Sequence, residues 1–427
     1  MAETRIIHPA QNISGSIRLP GDKSISHRYA MLAALAEGTT RLDNFSTGAD
    51  CASTLACLRE LGVEWERSGN AVTIKGRGPE LNSPTKPLAC GNSGSTMRLL
   101  CGILAGQRFT TELTGDQSLS RRPMARIITP LAAMGARITA TDSHAPLKIT
   151  GGDLNAIDYK MPVASAQVKS SLLFAGLFAE GETRIEEPIR TRDHGELALQ
   201  AFGAKIGQKE NLASVKGGQT LRAIDATIPG DLSSAAFFLC AAALFPSSQL
   251  TITGLGMNPT RSALLDLLAG MGLRISVTQL EEHHGELAGT VQAQGDALAG
   301  VSVHSPYTQQ LIDEIPVLAA IAPYTTTGIE IRDAGELRVK ESDRIAAVAA
   351  NLRAMGAQVE ERADGLKIPG QQKLHGAEIE SHGDHRIAMA FAVAALRAEG
   401  GTTMAGAEAA VISFPEFFEV LEGIVQR

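Results

Sequence analysis

The chain has 427 residues, of which 44% are hydrophobic and 20% are charged. This length and composition predict a globular protein of about two domains, because a domain usually has roughly 100–200 residues. Lysine and arginine number 39 and aspartate and glutamate 46, so the formal net charge is −7. A net acidic chain is a poor general binder of nucleic acid or anionic membranes, so an anionic ligand requires a local basic cluster.

The cysteines and the N-terminal sequence indicate a cytoplasmic protein. The five cysteines form no CxxC pair, and most lie in apolar or helical stretches. We expect them to be reduced and buried, as in a reducing compartment. The first residues contain no apolar core of signal-peptide length, and no apolar run is long enough to span a bilayer.

One pattern returns six times along the chain. Each copy opens with a polar break, continues in an almost wholly apolar run typical of a buried helix, and ends in a strand that is mostly rich in threonine. Such self-similarity predicts a fold built from one repeated supersecondary unit. The copies begin at Leu19, Gly91, Pro162, Ile228, Tyr307 and His382.

A second pattern follows each copy of the first. It reads as an amphipathic helix stopped by glycine and then two alternating strands, and its sixth copy is cut short at VLEGIVQR. The whole unit is strand, helix, strand, helix, strand, strand, and is about 70 residues long. We therefore predict an α/β fold of six βαβαββ units, three per domain, with the apolar helices inside and the sheets outside.

Two similar PGD turns divide the chain, one at Pro20–Asp22 and one at Pro229–Asp231. Proline restricts φ and glycine frees it, which suits a hinge, although both could be ordinary turns. We expect a discontinuous first domain of residues 1–20 and 230–427. The second domain would then be residues 21–229.

The openings of the apolar helices carry cations and hydroxyl groups. A helix start favours an anion because of its unpaired N–H groups and its dipole. The fourth opening has Asp231 and no cation, so we assign it no binding role. Taken singly, each basic residue could be a solvated surface charge, but an unpaired charge in an apolar helix is unfavourable. The residues concerned are Lys23, Ser24, Arg28, Asn92–Ser95, Ser165–Gln167, Lys169 and Asp384–Arg386.

Acidic residues near cations are the second chemical signal. Asp313 and Glu314 interrupt an apolar helical pattern, and Glu341 lies beside Lys340 and close to Arg344. Such a carboxylate can serve as a base, and a partly desolvated one can hold a proton; a structural ion pair is the alternative. No histidine or cysteine set has metal-ligand spacing, and GNSGSTMR is not a Walker A loop.

Ten motifs occur along the chain in the order GDKSISHR, GNSGSTMR, RRPM, ASAQVKS, TRDH, MNPTR, IDEIP, LRVKESDR, GDHRIAM and SFPEF. Together they resemble the family of 3-phosphoshikimate 1-carboxyvinyltransferases (EPSP synthases), especially its class II bacterial form. The likeness extends from about Pro20 to Phe418. It implies two inside-out α/β domains of three similar units, no metal and no organic cofactor.

The resemblance implies transfer of the enolpyruvyl group of phosphoenolpyruvate to the 5-hydroxyl of shikimate 3-phosphate. The residues implied for shikimate 3-phosphate are Lys23, Ser24, Arg28, Ser165, Ala166, Gln167, Arg192, Asp313 and Lys340. Those implied for phosphoenolpyruvate are Lys23, Gly94, Arg122, Gln167, Arg344 and Arg386.

The catalytic residues that the resemblance implies are Lys23, Asp313 and Glu341. Asp313 would accept the proton of the 5-hydroxyl, with Lys23 close by, and Glu341 would protonate the methylene carbon of phosphoenolpyruvate. Domain closure would assemble the site. We also expect a monomer with no nucleic-acid or membrane partner.

Glyphosate is a candidate inhibitor on the same grounds. Ile412 stands near the place where class I members carry a lysine, which would weaken the binding of phosphoenolpyruvate or glyphosate unless another cation compensates. Gly94, by contrast, leaves the space that alanine fills in some insensitive members. Because these features point in opposite directions, the sequence makes no prediction of sensitivity.

Two other functions compete with this assignment. The sister family transfers enolpyruvyl to UDP-N-acetylglucosamine, and many members carry a reactive cysteine in the region before Arg122; here Ser118 and Ser120 stand in that segment. A non-catalytic binding protein would have a decayed site. The intact set Lys23, Asp313, Glu341, Arg344 and Arg386 argues against it.

Overall fold

The computed structural model describes residues 4–427 and contains two compact units. The described part of the first comprises residues 4–19, Pro229–Glu281 and Leu287–Arg427. The second comprises Pro20–Ile228 together with the short segment Glu282–Glu286. The sequence pattern does not single out that short segment. The hinge function of the two PGD turns remains a prediction.

From the N-terminus to Thr227 the chain forms strands β1–β18 and helices α1–α6. The strands are β1 Thr4–Ile7, β2 Asn12–Arg18, β3 Ala36–Glu37, β4 Thr39–Asp43, β5 Glu64–Ser68, β6 Ala71–Lys75, β7 Leu88–Ala89, β8 Thr110–Thr114, β9 Arg137–Thr141, β10 His144–Thr150, β11 Leu154–Asn155, β12 Asp158–Lys160, β13 Ala179–Glu180, β14 Glu182–Glu186, β15 Ile206–Lys209, β16 Leu212–Lys216, β17 Leu221–Arg222 and β18 Asp225–Thr227. The helices are α1 Lys23–Leu35, α2 Ala49–Glu60, α3 Gly94–Ala105, α4 Ala125–Ala133, α5 Ala166–Gly176 and α6 His194–Ala201.

The remainder of the chain forms helices α7–α13 and strands β19–β28. The helices are α7 Leu232–Ala243, α8 Ala263–Gly270, α9 Tyr307–Gln310, α10 Ile315–Ile321, α11 Arg344–Ala354, α12 His385–Ala395 and α13 Phe417–Ile424. The strands are β19 Gln249–Gly256, β20 Arg274–His283, β21 Glu286–Gln294, β22 Val301–Val303, β23 Ile329–Ile331, β24 Glu360–Arg362, β25 Gly365–Ile368, β26 Glu378–Glu380, β27 Thr402–Ala405 and β28 Val425–Gln426. Short 3₁₀ turns lie at Leu119–Arg121, Ala322–Tyr324, Gly335–Val339 and Ala407–Ile412.

The second unit contains three four-stranded sheets of the same design. Their strand orders are β18-β4-β6-β5, β7-β8-β10-β9 and β12-β14-β16-β15. In each sheet the first pair is parallel and the next two are antiparallel. The sheet around α1 takes its first strand from β18, near the end of this unit. The last strand of this unit thus pairs with the first repeat, and the three repeats form a closed ring.

The first unit has a related design, but two of its sheets include strands from the N-terminus of the chain. Its sheets have the orders β22-β23-β25-β24, β20-β21-β19-β2-β28 and β1-β27-β26. The N-terminal β2 pairs in parallel with β19. The sixth repeat, which the sequence showed to be cut short, has no hairpin of its own, and β1 pairs antiparallel with β27 in its place.

The six apolar helices form the interior of the two units. Every residue of α7 is buried, as are eleven residues each of α1 and α12. Side chains cap five of these helices: Asp22, Ser93, Ser165, Asp231 and Asp384 each accept a hydrogen bond from a backbone N–H in the first turn. The caps end each polar break at a fixed place and satisfy donors that the helix itself leaves unpaired.

Glycine ends the amphipathic helices, as the sequence predicts. Gly62, Gly135, Gly203, Gly272 and Gly356 directly follow the C-cap residues of α2, α4, α6, α8 and α11, and all have positive φ. A left-handed residue at this place closes the helix, and only glycine adopts it without a steric penalty.

The fifth repeat departs from the predicted continuous helix. The segment TQQLIDEIPVLAAIA divides into the single turn α9 and the separate helix α10. Asp313 lies in the break, and Glu314 occupies the N-cap position of α10. Pro316 at the start of α10 accounts for the division, because proline fits the first turn of a helix and not its interior.

Candidate active site

The N-terminus of α1 presents Lys23 beside a carboxylate. The side chain of Asp22 caps the helix by accepting from Ile25 N at 2.9 Å. Lys23 Nζ lies 2.8 Å from Asp50 Oδ2, and the Lys23 side chain is 17% exposed. Ser24 follows and is also partly exposed. The ammonium is therefore held in one place and remains accessible to a ligand.

Arg28 lies one turn further along α1 and is buried. Its Nε and Nη2 donate to Ser170 Oγ at 3.1 and 2.9 Å, and its Nη1 donates to Ser24 O at 2.9 Å. Burial lowers the pKa of Arg28 to about 10, against the opposing effect of Glu196 and Asp22. The guanidinium stays charged at neutral pH.

His27 is neutral between these two cations. Burial, together with Lys23 and Arg28, lowers the pKa of His27 well below its ordinary value. Its Nδ1 lies 2.7 Å from Thr54 Oγ1, which lies 2.7 Å from Thr96 Oγ1. Thr96 in turn donates to Ser93 Oγ at 2.7 Å. This hydrogen-bond chain joins α1, α2 and the cap of α3.

Gly94 begins α3, and two guanidinium groups lie over it. A Cβ atom at Gly94 would lie 2.6 Å from Arg98 Nη1 and 3.3 Å from Arg122 Nη1. Arg98 Nη1 also donates to Gln167 Oε1 at 3.0 Å. Sequence reasoning gave Arg98 no role, although it ends the GNSGSTMR motif and lies one helical turn after Gly94, on the same face.

Arg122 is buried and oriented by the polar break before α3. Its Nη2 donates to Asn92 Oδ1 at 2.7 Å and to Ser118 Oγ at 3.2 Å. Asn92 Nδ2 donates to Asp116 Oδ2 at 2.7 Å. Ser118 thus helps to orient a candidate ligand-binding arginine.

The start of α5 brings a third helix N-terminus to this set. Ser165 caps the helix by accepting from Val168 N at 3.4 Å. Gln167 Nε2 donates to Ser95 Oγ at 2.9 Å, and Arg28 Nη2 lies 3.4 Å from Ala166 O. The structure therefore groups Lys23, Ser24, Arg28, Gly94, Arg122, Ser165, Ala166 and Gln167 around the starts of α1, α3 and α5.

Arg192 and Lys169 have different environments. Arg192 is partly exposed in the loop between β14 and α6. Lys169 is buried, and its Nζ lies 2.8 Å from Glu187 Oε2 and 2.7 Å from Glu196 Oε1. The prediction that Lys169 contributes to anion binding at the helix opening is therefore wrong, because two buried carboxylates already neutralise its charge.

In the first unit, Asp313 lies among three cations. Its carboxylate oxygens are 4.0 Å from Lys340 Nζ, 3.8 Å from Arg344 Nη1 and 3.9 Å from Arg386 Nη2. Arg386 Nη1 also donates to the backbone oxygen of Asp313 at 2.7 Å. The side chain is 17% exposed, so Asp313 is an accessible carboxylate in a strongly positive environment.

Glu314, the next residue, is buried and structural. Its Oε1 accepts a short hydrogen bond from Ser233 Oγ and lies 3.6 Å from Arg261 Nη2. Arg386 Nη1 is 4.0 Å away. The two acids that the sequence predicted as a pair therefore have separate environments, and only Asp313 remains accessible.

Arg344 is the most buried candidate cation. Its Nε and Nη2 donate to Asp384 Oδ2 and Oδ1 at 2.8 and 3.2 Å, and Nη2 donates to Glu341 Oε2 at 2.6 Å. Burial disfavours its charged form, but Asp384, Glu341 and Asp313 outweigh that effect and raise the pKa of Arg344. The Glu341 side chain is 16% exposed and thus remains accessible.

Residues 4–427 contain neither a metal-ligand cluster nor a membrane-spanning helix. No group of three or more histidine, cysteine, aspartate or glutamate side chains has the geometry to hold a metal ion. None of the helices in that range is long and apolar enough to cross a membrane. All five cysteines are buried, which confirms that part of the prediction.

Comparisons with known proteins agree with the fold described above. A sequence model of the EPSP synthase (3-phosphoshikimate 1-carboxyvinyltransferase) family matches residues 7–421. The 3-phosphoshikimate 1-carboxyvinyltransferase of Koribacter versatilis is 61% identical over 99% of both chains, and that of Solibacter usitatus is 55% identical over 98% of this chain and 99% of its own. An EPSP synthase structure from Acinetobacter baumannii has a TM-score of 0.88 and 41% identity, and covers 100% of this chain and 98% of its own. The predicted fold class is thereby confirmed, and the chain belongs to the EPSP synthase family, whose members are enolpyruvyl transferases of the shikimate pathway.

Proposed function

We propose that the grouped side chains carry out the reaction of this family. That reaction transfers the enolpyruvyl group of phosphoenolpyruvate to the 5-hydroxyl of shikimate 3-phosphate and releases phosphate. The observation that carries the proposal is the environment of Asp313, whose carboxylate lies within 4.0 Å of Lys340, Arg344 and Arg386. Such a site suits anionic substrates together with a general base.

Shikimate 3-phosphate would bind chiefly at the starts of α1 and α5. Arg28 would take the substrate carboxylate through its planar fork, while Ser165, Ala166, Gln167 and Arg192 would take the phosphate. Helix N–H groups add to the attraction of that anion. Lys23, Ser24, Asp313 and Lys340 complete the proposed set.

Phosphoenolpyruvate would be bound by cations and would lie against the backbone of a glycine. The proposed residues are Lys23, Gly94, Arg122, Gln167, Arg344 and Arg386. The guanidinium groups of Arg98 and Arg122, which lie against Gly94, support this assignment. Glyphosate, itself an anion, would compete for the same cations.

The chemistry proceeds by addition and then elimination. Glu341 protonates the methylene carbon of phosphoenolpyruvate while Asp313 accepts the proton of the attacking 5-hydroxyl, and the new C–O bond gives a tetrahedral adduct. Loss of phosphate and of a methyl proton then restores the double bond. The cations stabilise the developing charge, and holding both substrates together supplies an entropic advantage.

We propose a cytoplasmic monomer with two three-unit domains, joined by hinges at the two PGD turns. The buried, free thiols support a reducing compartment. Proline and glycine at both turns support the hinge assignment.

The proposed reaction is tested by phosphate release from purified protein in the presence of EDTA. Release with phosphoenolpyruvate and shikimate 3-phosphate, and none with phosphoenolpyruvate and UDP-N-acetylglucosamine, is expected. Release only with the nucleotide sugar would assign the chain to the sister reaction. No release with either acceptor would reject the proposal in favour of a binding protein.

A further inference from the structure

Lys169 is a buried cation in a helix whose start is proposed to bind substrate. It follows Gln167 by two residues in α5, and its side chain is 2% exposed. Glu187 and Glu196, both 3% exposed, hold its ammonium at 2.8 and 2.7 Å. A lysine is rarely buried this deeply unless it is paired, so the contact needs an explanation other than ligand binding.

Glu187 connects this ammonium to the loop that carries Arg192. Its Oε2 accepts from Lys169 Nζ and from the backbone N–H of Thr191 at 3.3 Å. Its Oε1 accepts a short hydrogen bond from Thr191 Oγ1. Thr191 directly precedes Arg192, so the backbone at Arg192 is fixed through one carboxylate to α5.

Glu196 fixes the other end of the same loop. It lies in the first turn of α6, which begins just after Arg192, and it contacts Lys169 from that side. Burial raises the pKa of Glu196, and Lys169 opposes this change. Lys169 thus joins the strand side and the helix side of the loop to one point on α5.

Ser170, the next residue on α5, orients Arg28. Ser170 Oγ accepts from both Arg28 Nε and Arg28 Nη2, and Ser170 is completely buried. Two consecutive residues of α5 therefore connect to the arginines that are assigned to the carboxylate and the phosphate of shikimate 3-phosphate. Ser170 contacts Arg28 directly, and Lys169 reaches the backbone next to Arg192 through Glu187 and Thr191. The helix start itself, Ser165–Gln167, lies about one turn away.

We propose that Lys169 is a positioning residue for substrate binding, which acts through Glu187 and Thr191 to hold the loop of Arg192 against the start of α5. The inference rests on the proposed function, because that function places the substrate phosphate between Arg192 and Ser165–Gln167. A loop that is already ordered loses less conformational entropy on binding, so the effect belongs to substrate affinity and not to the chemical step.

Thr191→Val is the variant that tests this connection. It keeps the shape of the side chain and removes only the hydroxyl bonded to Glu187. Lys169→Met, by contrast, would leave two buried carboxylates without a cation and is expected to fold poorly. With the native enzyme as reference, KM for shikimate 3-phosphate should rise about fivefold, as expected for one lost hydrogen bond. The kcat and the KM for phosphoenolpyruvate should stay within about twofold.

A double-variant cycle separates positioning from a general loss of stability. In an Arg192→Ala background, Thr191→Val should cause no further rise in KM, because the residue through which it acts is absent. Thr110→Val is the matched control: it removes the 2.9 Å bond to Thr150 on the same unit and should change neither KM. An unchanged KM in Thr191→Val, or an equal rise in the Arg192→Ala background, would overturn the proposal.

The wild-type assay distinguishes this failure from failure of the proposed function. If the wild-type protein releases phosphate with shikimate 3-phosphate and Thr191→Val behaves identically, only the role of Lys169 is rejected. If the wild-type protein shows no turnover with that acceptor, the proposed function is rejected, and the positioning role, which depends on it, is rejected as well.

Discussion

The carboxylate of Asp384 binds Arg344 in a bidentate manner, and its two oxygens accept from Nε at 2.8 Å and from Nη2 at 3.2 Å. Both side chains are buried, with exposures of 0% and 1%. The same carboxylate accepts from the backbone N of Arg386 at 2.9 Å and so caps α12. Asp384, which the sequence placed only among the helix openings, therefore contacts both arginines proposed for phosphoenolpyruvate in the first unit. It orients the guanidinium of Arg344 and fixes the backbone of Arg386.

Asp384→Asn should make the protein less stable and less sensitive to acid. Burial alone would raise the pKa of Asp384, but Arg344 lowers it below the ordinary value. Its contribution to the free energy of unfolding is therefore complete above the unfolded pKa of about 3.9 and is lost as the pH falls through the lower folded value. At pH 7 the variant should lose about 3 kcal/mol, since a buried ion pair is broken.

Thermal unfolding between pH 3 and pH 8 measures this effect. The stability difference between wild type and Asp384→Asn should shrink below about pH 4. Asp153→Asn is the control, because its pair with Arg108 is exposed and should contribute less than about 1 kcal/mol. A constant difference across the range would mean that Asp384 does not titrate as described.

Alanine substitutions at Gly94 and Gly102 of α3 should have different effects. The first should change substrate affinity, and the second should change the stability of the fold. At Gly94 the new Cβ meets the mobile end of Arg98 at 2.6 Å, so the fold adapts but the bond from Arg98 to Gln167 is lost. We expect KM for phosphoenolpyruvate to rise about tenfold, as for one charged hydrogen bond. The melting temperature should change by less than about 2 °C.

At Gly102 the Cβ would lie 2.0 Å from the backbone oxygen of Ser171, where α3 packs on α5. Backbone cannot move as a side-chain end does, so Gly102→Ala should lower the free energy of unfolding by about 3 kcal/mol. Circular dichroism melts and steady-state kinetics on both variants provide the comparison. Equal stability of the two variants would contradict the packing described for this helix pair.

Asp313→Asn should remove turnover without removing the fold. The amide cannot accept a proton as the carboxylate does, so kcat should fall by about 10²- to 10⁴-fold. Glu314→Gln alters the adjacent acid, which is buried against Ser233 and Arg261. It should lower the free energy of unfolding by about 2 kcal/mol and leave kcat within about fivefold.

Steady-state kinetics and chemical denaturation of both variants decide this assignment. A loss of kcat in Glu314→Gln as large as that in Asp313→Asn would show that the base cannot be assigned to Asp313 alone. Lys75→Ala, which removes an exposed pair with Glu64, should resemble wild type in both measurements.

The thiols of the native protein should resist alkylation. Burial raises the pKa of Cys101 to about 12 and the pKa of Cys51 and Cys240 still further. Because the thiolate is the reactive form, native protein at pH 8 should consume less than about one equivalent of iodoacetamide. All five cysteines should react after unfolding. Rapid labelling of a native thiol, located by mass spectrometry, would contradict this burial.

Periodic features of the fold were predictable from the sequence, and features that join distant segments were not. The apolar helices and the glycines that end their partners follow from local pattern and local backbone geometry. The break between α9 and α10 was missed because apolar periodicity extends across it, although Pro316 was a usable signal. Strand β1 replaces the missing hairpin of the sixth repeat from the far end of the chain, which no local pattern indicates.

The same distinction applies to the candidate site. Lys23, Arg28 and Asp313 were predicted from charges in apolar surroundings and from the family resemblance, and their roles remain proposals. Lys169 carries the same local signal as Lys23, yet its partners Glu187 and Glu196 neutralise it. A sequence pattern shows that a charge needs a partner, but only the fold shows whether the partner is a ligand or a carboxylate of the same chain.

The pairing of β2 with β19 affects the order in which the protein can form during synthesis. Ser14 faces Gln249, and Thr4 faces Ala405, so both N-terminal strands find their neighbours only after most of the chain has left the ribosome. Residues 20–228 meanwhile contain all the strands of their own three sheets. The edges of β1 and β2 therefore stay unpaired until their partner strands have been synthesised. The late strands β27 and β28 then pair with β1 and β2.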